Sequence, residues 1–403
     1  MAQGAVAVYS DEMQSEIRQA FSVGYSFPVL FTRNSFETSN LVVRDAVRAA
    51  GAKRHRVLLV VDSNLADATP GLLAKIKAYG DFHADTFDWA GPPFIVRGGE
   101  ICKSDPREVE ELHELVAKYK IDRQSFILAV GGGAMLDAVG YAAATAHRGV
   151  RLIRMPTTTL GQNDAGIGVK NSINAYGRKN FLGTFAPPFA VINDYEFLRT
   201  LPARELRAGM AEAVKIACIK DAEFLSWMHR ERKALGAFVP EAVEQLIERC
   251  ARGHIEHVGS ADPFESGSAR PLDFGHWSAH FLEELTGNEL RHGEAVAIGC
   301  ALDSTYAFEQ RLINEVELGK VMHTLEDMGF ELFHPALQRM DIEEALGQFR
   351  EHLGGEMCIT VPDPLGRRRE LHQIDLPLMK QCIQALATRH QRREMRSQKS
   401  ATG

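Results

Sequence analysis

The first half of the chain alternates apolar strand-like runs with amphipathic helical stretches, and this alternation limits the fold more than any other feature. A strand is expected over 56–61, ending in a loop at Asp62 and Asn64. A helix over 71–79, a strand over 84–88 and a helix over 106–120 follow. The run 126–130 then leads into Gly131-Gly132-Gly133 and a helix over 134–145, and 150–155 closes the series. Strands that read as continuous apolar runs are buried on both faces, which calls for a parallel sheet covered by helices. The segment 21–32 alternates around Gly24 as a strand or hairpin does. Residues 1–196 are therefore expected to form a Rossmann-like α/β domain. Beyond Asn193 the pattern becomes long amphipathic helices over 202–229, 240–257, 276–285, 293–310 and 318–328, with one late strand near 357–361. Residues 197–403 are expected to be an all-helical second domain, with the boundary near Phe197.

A chain of 403 residues has room for both, and 45% hydrophobic content with 25% charge is ordinary for a globular protein. The net charge of -7 leaves no general basic surface, so nucleic acid is not an expected partner. The basic run 389–399 reads as a solvated, frayed helix end. Six cysteines without CxxC spacing suggest reduced, structural thiols and a cytoplasmic protein. The N-terminal residues lack a signal-peptide pattern, and no apolar run approaches the ~18 residues of a membrane span.

A glycine-rich turn between a buried strand and a helix offers backbone N–H groups and a positive helix end to a phosphate. Gly131-Gly132-Gly133 has that position, although Leu136 stands where the dinucleotide fingerprint has its third glycine. It is either such a cradle or a tight turn without a ligand. Asp62 and Asn64, Glu100 and Lys103, Asp137, and Thr157-Thr158 fall near the strand ends where a sheet of this kind keeps its crevice. NAD suits them better than ATP, because no Gly-Lys-[Ser/Thr] loop is present.

In the second half Glu212, His276, His280 and His292 lie on apolar, helix-patterned backgrounds. Glu, His and His would hold a zinc ion and leave one position open, the catalytic pattern. Each could equally be a solvated or hydrogen-bonded residue, and Asp273 could simply cap the following helix. Spacing alone nominates His276 and His280, at i,i+4, as the ligand pair. The segment 162–180 is rich in Gly, Lys and Asn and carries Asp164, Lys170, Lys179 and Asn180. It is either a solvated hairpin or the wall of an anion-binding cleft, and beside a metal it would favour a phosphorylated polyol.

Taken in order, Gly131-Gly132-Gly133 with Asp137, Pro156-Thr157-Thr158 with Asp164, Lys179-Asn180, Gly209-Met210-Ala211-Glu212 with Lys215, Phe274-Gly275-His276 with His280, and His292-Gly293-Glu294 resemble the sugar phosphate cyclases, whose best-known member is dehydroquinate synthase. The likeness runs from about Val57 to Gly299. It implies an NAD domain followed by a helical metal domain, a homodimer, and an NAD- and metal-dependent carbon–oxygen lyase. By motif it makes Glu212, His276 and His292 the metal ligands and moves His280 to the substrate side. Zinc is the expected metal, and cobalt would suit the same ligands. The resemblance assigns catalysis to Lys170, Lys215, His280, Asp164 and Asp273, substrate contacts to Lys179, Asn180 and Arg270, and NAD to Asp62, Asn64, Glu100, Lys103, Gly132, Gly133, Asp137, Thr157 and Thr158.

Two departures bear on the substrate. Asp273 stands where dehydroquinate synthase has asparagine, and His254 to His257 replace a segment that there offers a lysine. A carboxylated sugar would meet a carboxylate in a poorly solvated site. Residues 349–355 and 370–375 are similar to the sedoheptulose 7-phosphate cyclases that make valiolone-type cyclitols. Those usually lack the second imidazole, and His280 brings this chain nearer the cyclase-like proteins of the Ebo operon. The expected substrate is sedoheptulose 7-phosphate or a close ketose phosphate. A carboxylated heptulosonate phosphate, a simple metal-dependent polyol dehydrogenation, and a binding protein without activity are the alternatives.

Overall fold

In the computed structural model, residues 17–260, 263–264, 271–287 and 289–401 are described. Strands β1 (Val29–Thr32), β2 (His55–Asp62), β3 (Phe87–Trp89), β4 (Phe94–Val96), β5 (Phe126–Gly131), β6 (Arg151–Pro156) and β9 (Ala190–Asp194) form one seven-stranded sheet, ordered β1-β9-β6-β5-β2-β3, with β4 also on β2. Every pairing is parallel. All of β5 and seven of the eight residues of β2 are buried, as apolar runs covered on both faces require. The chain leaves β2 toward β3 and β4 on one side, then crosses to β5 on the other. The C-terminal ends of β2 and β5 thus flank a switch point, the place where open α/β sheets receive ligands. Asp62, Gly131 and Pro156 end adjacent strands there.

Strands β7 (Lys170–Ala175) and β8 (Arg178–Phe185) form an antiparallel hairpin, and β8 is almost wholly exposed. The hairpin is fastened by Arg154, which is fully buried on β6 and donates to the carbonyls of Gly166 (3.3 Å), Gly168 (2.8 Å) and Lys170 (3.1 Å) and to the side chain of Asn171. Gly140 lets the helix Gly133–Thr145 come this close, since a Cβ there would lie 1.8 Å from Asn171 Oδ1.

Several elements differ from expectation for identifiable reasons. Only the end of 21–32 is a strand. Pro28, having no N–H, can only accept, from Val191 at 3.0 Å. The expected strand over 84–88 begins at Phe87, because Thr86 and Phe87 still donate to His83 as the preceding helix closes. Asp62 opens no loop: it caps the helix Ser63–Ala68, accepting from Asn64 N–H at 2.8 Å. The helix expected over 202–229 is three helices, Ala203–Ala208, Met210–Lys220 and Ala222–Gly236. Gly209 marks the first break, with its Cα pressed on the Thr159–Leu160 backbone, and Asp221 caps the third helix through Phe224 N–H at 2.8 Å. The second half is not purely helical, for β10 (Ile359–Pro362) pairs with β11 (Arg368–Leu371). The basic run continues the long helix Leu376–Ala401, and Arg389 pairs bidentately with buried Glu326 at 2.6 and 2.7 Å rather than dangling in solvent. All six cysteines are buried, and none is joined to another in a disulfide. No helix among the described residues is long and apolar enough to cross a membrane.

Candidate active site

Three helix starts converge on one point. The helix Met210–Lys220 is buried from Met210 to Ile219 and presents Glu212 in its first turn and Lys215 one turn on. His276 begins the helix His276–Leu285, and His292 begins His292–Glu309. His276 follows Gly275, whose φ of +78° belongs to glycine and whose Cα sits against Gly299 and Cys300. Asp303, 1% exposed, holds this entry from both sides of His276, accepting from Gly275 N–H at 2.9 Å and Trp277 Nε1 at 2.8 Å. Asp273 does not cap the helix; it ends a short 3-10 turn before Gly275.

Nε2 of His292 lies 3.3 Å and Nε2 of His276 3.8 Å from Glu212 Oε1. The ligand atoms of the three side chains all lie within 4.8 Å of one another. The opposite ring nitrogens are engaged, His276 Nδ1 with the Phe274 carbonyl at 3.1 Å and His292 Nδ1 with Glu283 Oε2 at 3.0 Å. Outer-sphere acceptors of this kind hold an imidazole with Nε2 toward a metal. Glu212 is fully buried; Oε2 is ion-paired with Lys215 at 2.5 Å, and Oε1 faces the two imidazoles without a well-directed hydrogen bond among the described residues. A carboxylate so placed, facing two Nε2 atoms, fits a divalent cation. Among the described residues the pairing of His276 with His280 suggested by spacing does not form a three-ligand group. His280 belongs to a second cluster, with Glu283 and His292.

The charges explain the protonation states. Burial opposes the Glu212 carboxylate, but Lys215 and His292 outweigh it and hold the group at about 2. Burial likewise opposes a cation at Lys215, yet Glu212 at 2.5 Å, Asp164 at 3.9 Å and Asp273 raise it above the usual lysine range. Burial, reinforced by Lys215, His280 and His292, drives His276 well below the usual histidine range. Against the same burial, Glu212 and Glu283 lift His292 to about 10.

Asp164 lies in the turn Gly161–Ala165 and meets His254 Nδ1 at 3.1 Å. At the sheet ends Asp62 is raised by burial against hydrogen bonds from the backbone of Asn64, Leu65 and Gly132, so it touches the glycine turn directly. A Cβ on Gly98 would fall 2.3 Å from both Asp62 Oδ1 and Asn64 Nδ2, and one on Gly132 would fall 3.3 Å from Thr158. Thr157 N–H donates to Gly131, and Thr158 Oγ1 accepts from Gly161 N–H at 2.9 Å. The bare glycines leave a polar cradle at the helix start that suits a dinucleotide phosphate.

The hairpin bridges the two regions. Buried Lys103 pairs with Asp137 at 2.7 Å and with Asn180, and Glu100 accepts from Asn174 at 2.7 Å. On the other side Lys179 pairs with Glu283 at 3.1 Å. Lys170 begins β7 and is exposed. Arg270 lies outside the described residues. Sequence reasoning missed Glu283 and Asp303. Glu283 follows His276 and His280 at i+7 and i+3, so helical periodicity could have placed it on their face.

This fold is that of the dehydroquinate synthase-like proteins. Residues 93–208 match the family of the 3-dehydroquinate synthase N-terminal domain and residues 209–351 that of its C-terminal domain. The chain belongs to the sugar phosphate cyclase superfamily that these regions define. It is 32% identical over 317 residues to a 2-epi-5-epi-valiolone synthase of Streptomyces glaucescens, covering 78% of this chain and 81% of that one. It is 31% identical over 319 residues to a 3-dehydroquinate synthase of Desulforamulus reducens, covering 77% and 85%. A solved structure of 2-epi-5-epi-valiolone synthase from Streptomyces hygroscopicus, described with NAD+ and Zn2+ bound, superposes with a TM-score of 0.82 at 28% identity, covering 93% of this chain and all of that one.

Proposed function

We propose that the protein is an NAD- and metal-dependent cyclase of a neutral ketose phosphate, sedoheptulose 7-phosphate or a close relative, acting as a homodimer. Residues up to 196 form the NAD-binding unit and those from 197 the metal and substrate unit. Identity does not separate the two kinds of relative, which stand at 32% and 31%. The observation that carries the substrate choice is Asp273, a carboxylate close enough to Lys215 to raise its pKa, in a site that already holds Asp164 and Glu212. A carboxylate on the sugar would add repulsion at low dielectric.

Bound NAD supplies a reversible hydride acceptor and a divalent ion a Lewis acid. Glu212, His276 and His292 would hold the ion, zinc or cobalt. Asp62, Asn64, Glu100, Lys103, Gly132, Gly133, Asp137, Thr157 and Thr158 would surround the dinucleotide. Lys215, kept cationic by three carboxylates, stabilises the developing oxyanion, while Lys170, Lys179 and Asn180 receive the phosphate. Asp164, 3.9 Å from Lys215, and His280, whose ring lies beside His292, would position the sugar. The sugar's secondary hydroxyl is oxidised, phosphate leaves by β-elimination, the ketone is reduced again, and an aldol bond closes the ring.

The test is incubation of sedoheptulose 7-phosphate and of a carboxylated heptulosonate 7-phosphate with NAD and zinc, following phosphate and carbocycle by mass spectrometry. The neutral sugar is the expected substrate, and turnover of the heptulosonate alone would sink the reading. Asp273→Asn should shift the ratio of kcat/KM values toward the carboxylated sugar by about tenfold or more, since relief of ~1.4 kcal/mol of repulsion suffices.

Metal loading should also depend on pH. In the metal-free chain Glu212 is ionised and His276 neutral, so the proton on His292, held to about 10, is the one a metal must displace. Zinc binding at neutral pH should therefore release about one proton, and affinity should rise as pH approaches 10. Calorimetry in buffers of different ionisation enthalpy measures this. Uptake of a proton, or none exchanged, would contradict the assignment.

A further inference from the structure

Glu283 stands between two parts of the site that the chain brings together from far apart. Its side chain is buried on the helix that starts with His276. One oxygen, Oε2, accepts from His292 Nδ1 at 3.0 Å, and the other, Oε1, meets Lys179 Nζ at 3.1 Å. Lys179 lies on β8 of the hairpin, 104 residues earlier in the chain. The next residue, Asn180, is bound instead by Lys103, which pairs with Asp137 of the helix behind the glycine turn. Two consecutive hairpin residues are thus tied in opposite directions, one to the sheet ends and one to the carboxylate behind His292. The hairpin register shifts opposite Ile173–Ala175, and Asn180 takes a φ of +54° there, so the chain turns between the two residues.

We propose that Glu283 is a positioning residue that holds His292 in ligand geometry and makes Lys179 compete for the same carboxylate. It rests on the reading of His292 as a metal ligand. The physical argument concerns how one negative charge is divided. A carboxylate that accepts the far N–H of a ligand imidazole fixes its tautomer and strengthens its donation to the metal. Lys179 draws on that same charge from the other oxygen. An anionic group of the substrate that engages Lys179 would loosen this hold and leave Glu283 to His292. Substrate phosphate and metal would then support each other's binding, as linkage requires.

The experiment is a zinc titration by chelator competition on the full-length, NAD-saturated protein in four forms: wild type, Glu283→Gln, Lys179→Met and the double variant. Glu283→Gln keeps the shape of the side chain and should weaken zinc binding by about 10- to 100-fold. Lys179→Met alone should tighten it by roughly two- to fivefold, the scale of one partly exposed ion pair. In the Glu283→Gln background Lys179→Met should have no effect. Wild-type affinity in Glu283→Gln would overturn the proposal, as would an effect of Lys179→Met that is equal in both backgrounds. Should Glu283→Gln fail to fold, Lys179→Met still decides, since weaker zinc binding in that variant overturns the competition. Zinc lost from His292→Ala but unchanged in Glu283→Gln removes this proposal alone. Stoichiometric zinc retained by His292→Ala removes the ligand reading and this proposal with it.

Discussion

His292→Ala is expected to abolish bound metal and turnover together. Removal of an outer-sphere partner already lowers metal affinity by about 10- to 100-fold, and loss of a ligand exceeds that. His292 is the nearer imidazole to Glu212, at 3.3 Å against 3.8 Å for His276, so its loss leaves two protein ligands. The fold should survive, because Lys215 at 2.5 Å still compensates the buried Glu212 charge. Metal content by atomic absorption, with circular dichroism as the check on folding, gives the answer. A folded variant that keeps one metal per chain would contradict the ligand assignment.

The second large effect is expected at Lys215. Its ammonium is buried between Glu212 and Asp164, with Asp273 adding to the negative field. Lys215→Met keeps the volume but strands those carboxylates. Breaking a buried pair by removing one partner costs about 3–5 kcal/mol, so denaturant unfolding of the metal-free variant should show a loss of that order. Turnover should fall by about 10²- to 10³-fold, the usual effect of deleting one group that stabilises an oxyanion. A bound metal would recover part of the stability by taking over the compensation of Glu212, but not the rate. Equal loss of stability with and without metal would show that Lys215 and the metal do not share Glu212. A variant with unchanged kcat would remove Lys215 from the chemistry.

What could be read from the residues was local. The apolar runs that became β2, β5 and β6, and the glycine turn that follows β5, depend on side-chain periodicity and backbone freedom, which short windows carry. The parts that misled depend on tertiary neighbours. Gly209 stands between two helices because the Thr159–Leu160 backbone leaves no room for a Cβ there. Asp273 resembles a cap until the left-handed Gly275 takes the position before His276. Periodicity places His276, His280 and Glu283 on one face but does not say which of them the distant helix carrying Glu212 approaches. The family likeness named His292 in place of His280 as the partner of His276, and the three-residue cluster is consistent with that choice. The same face hid Glu283, whose meaning depends on Lys179 and His292 arriving from separate elements.

In the proposed reaction, oxidation at this site is transient and ends in a carbocycle. The direct measurement is the stoichiometry of one reaction: purified enzyme, NAD and zinc with sedoheptulose 7-phosphate, recording inorganic phosphate and absorbance of NADH together. One phosphate released per sugar consumed, with no accumulation of NADH and a phosphate-free cyclic product, is the predicted result. NADH accumulating in step with a ketone that keeps its phosphate would contradict it and mark a simple polyol dehydrogenase.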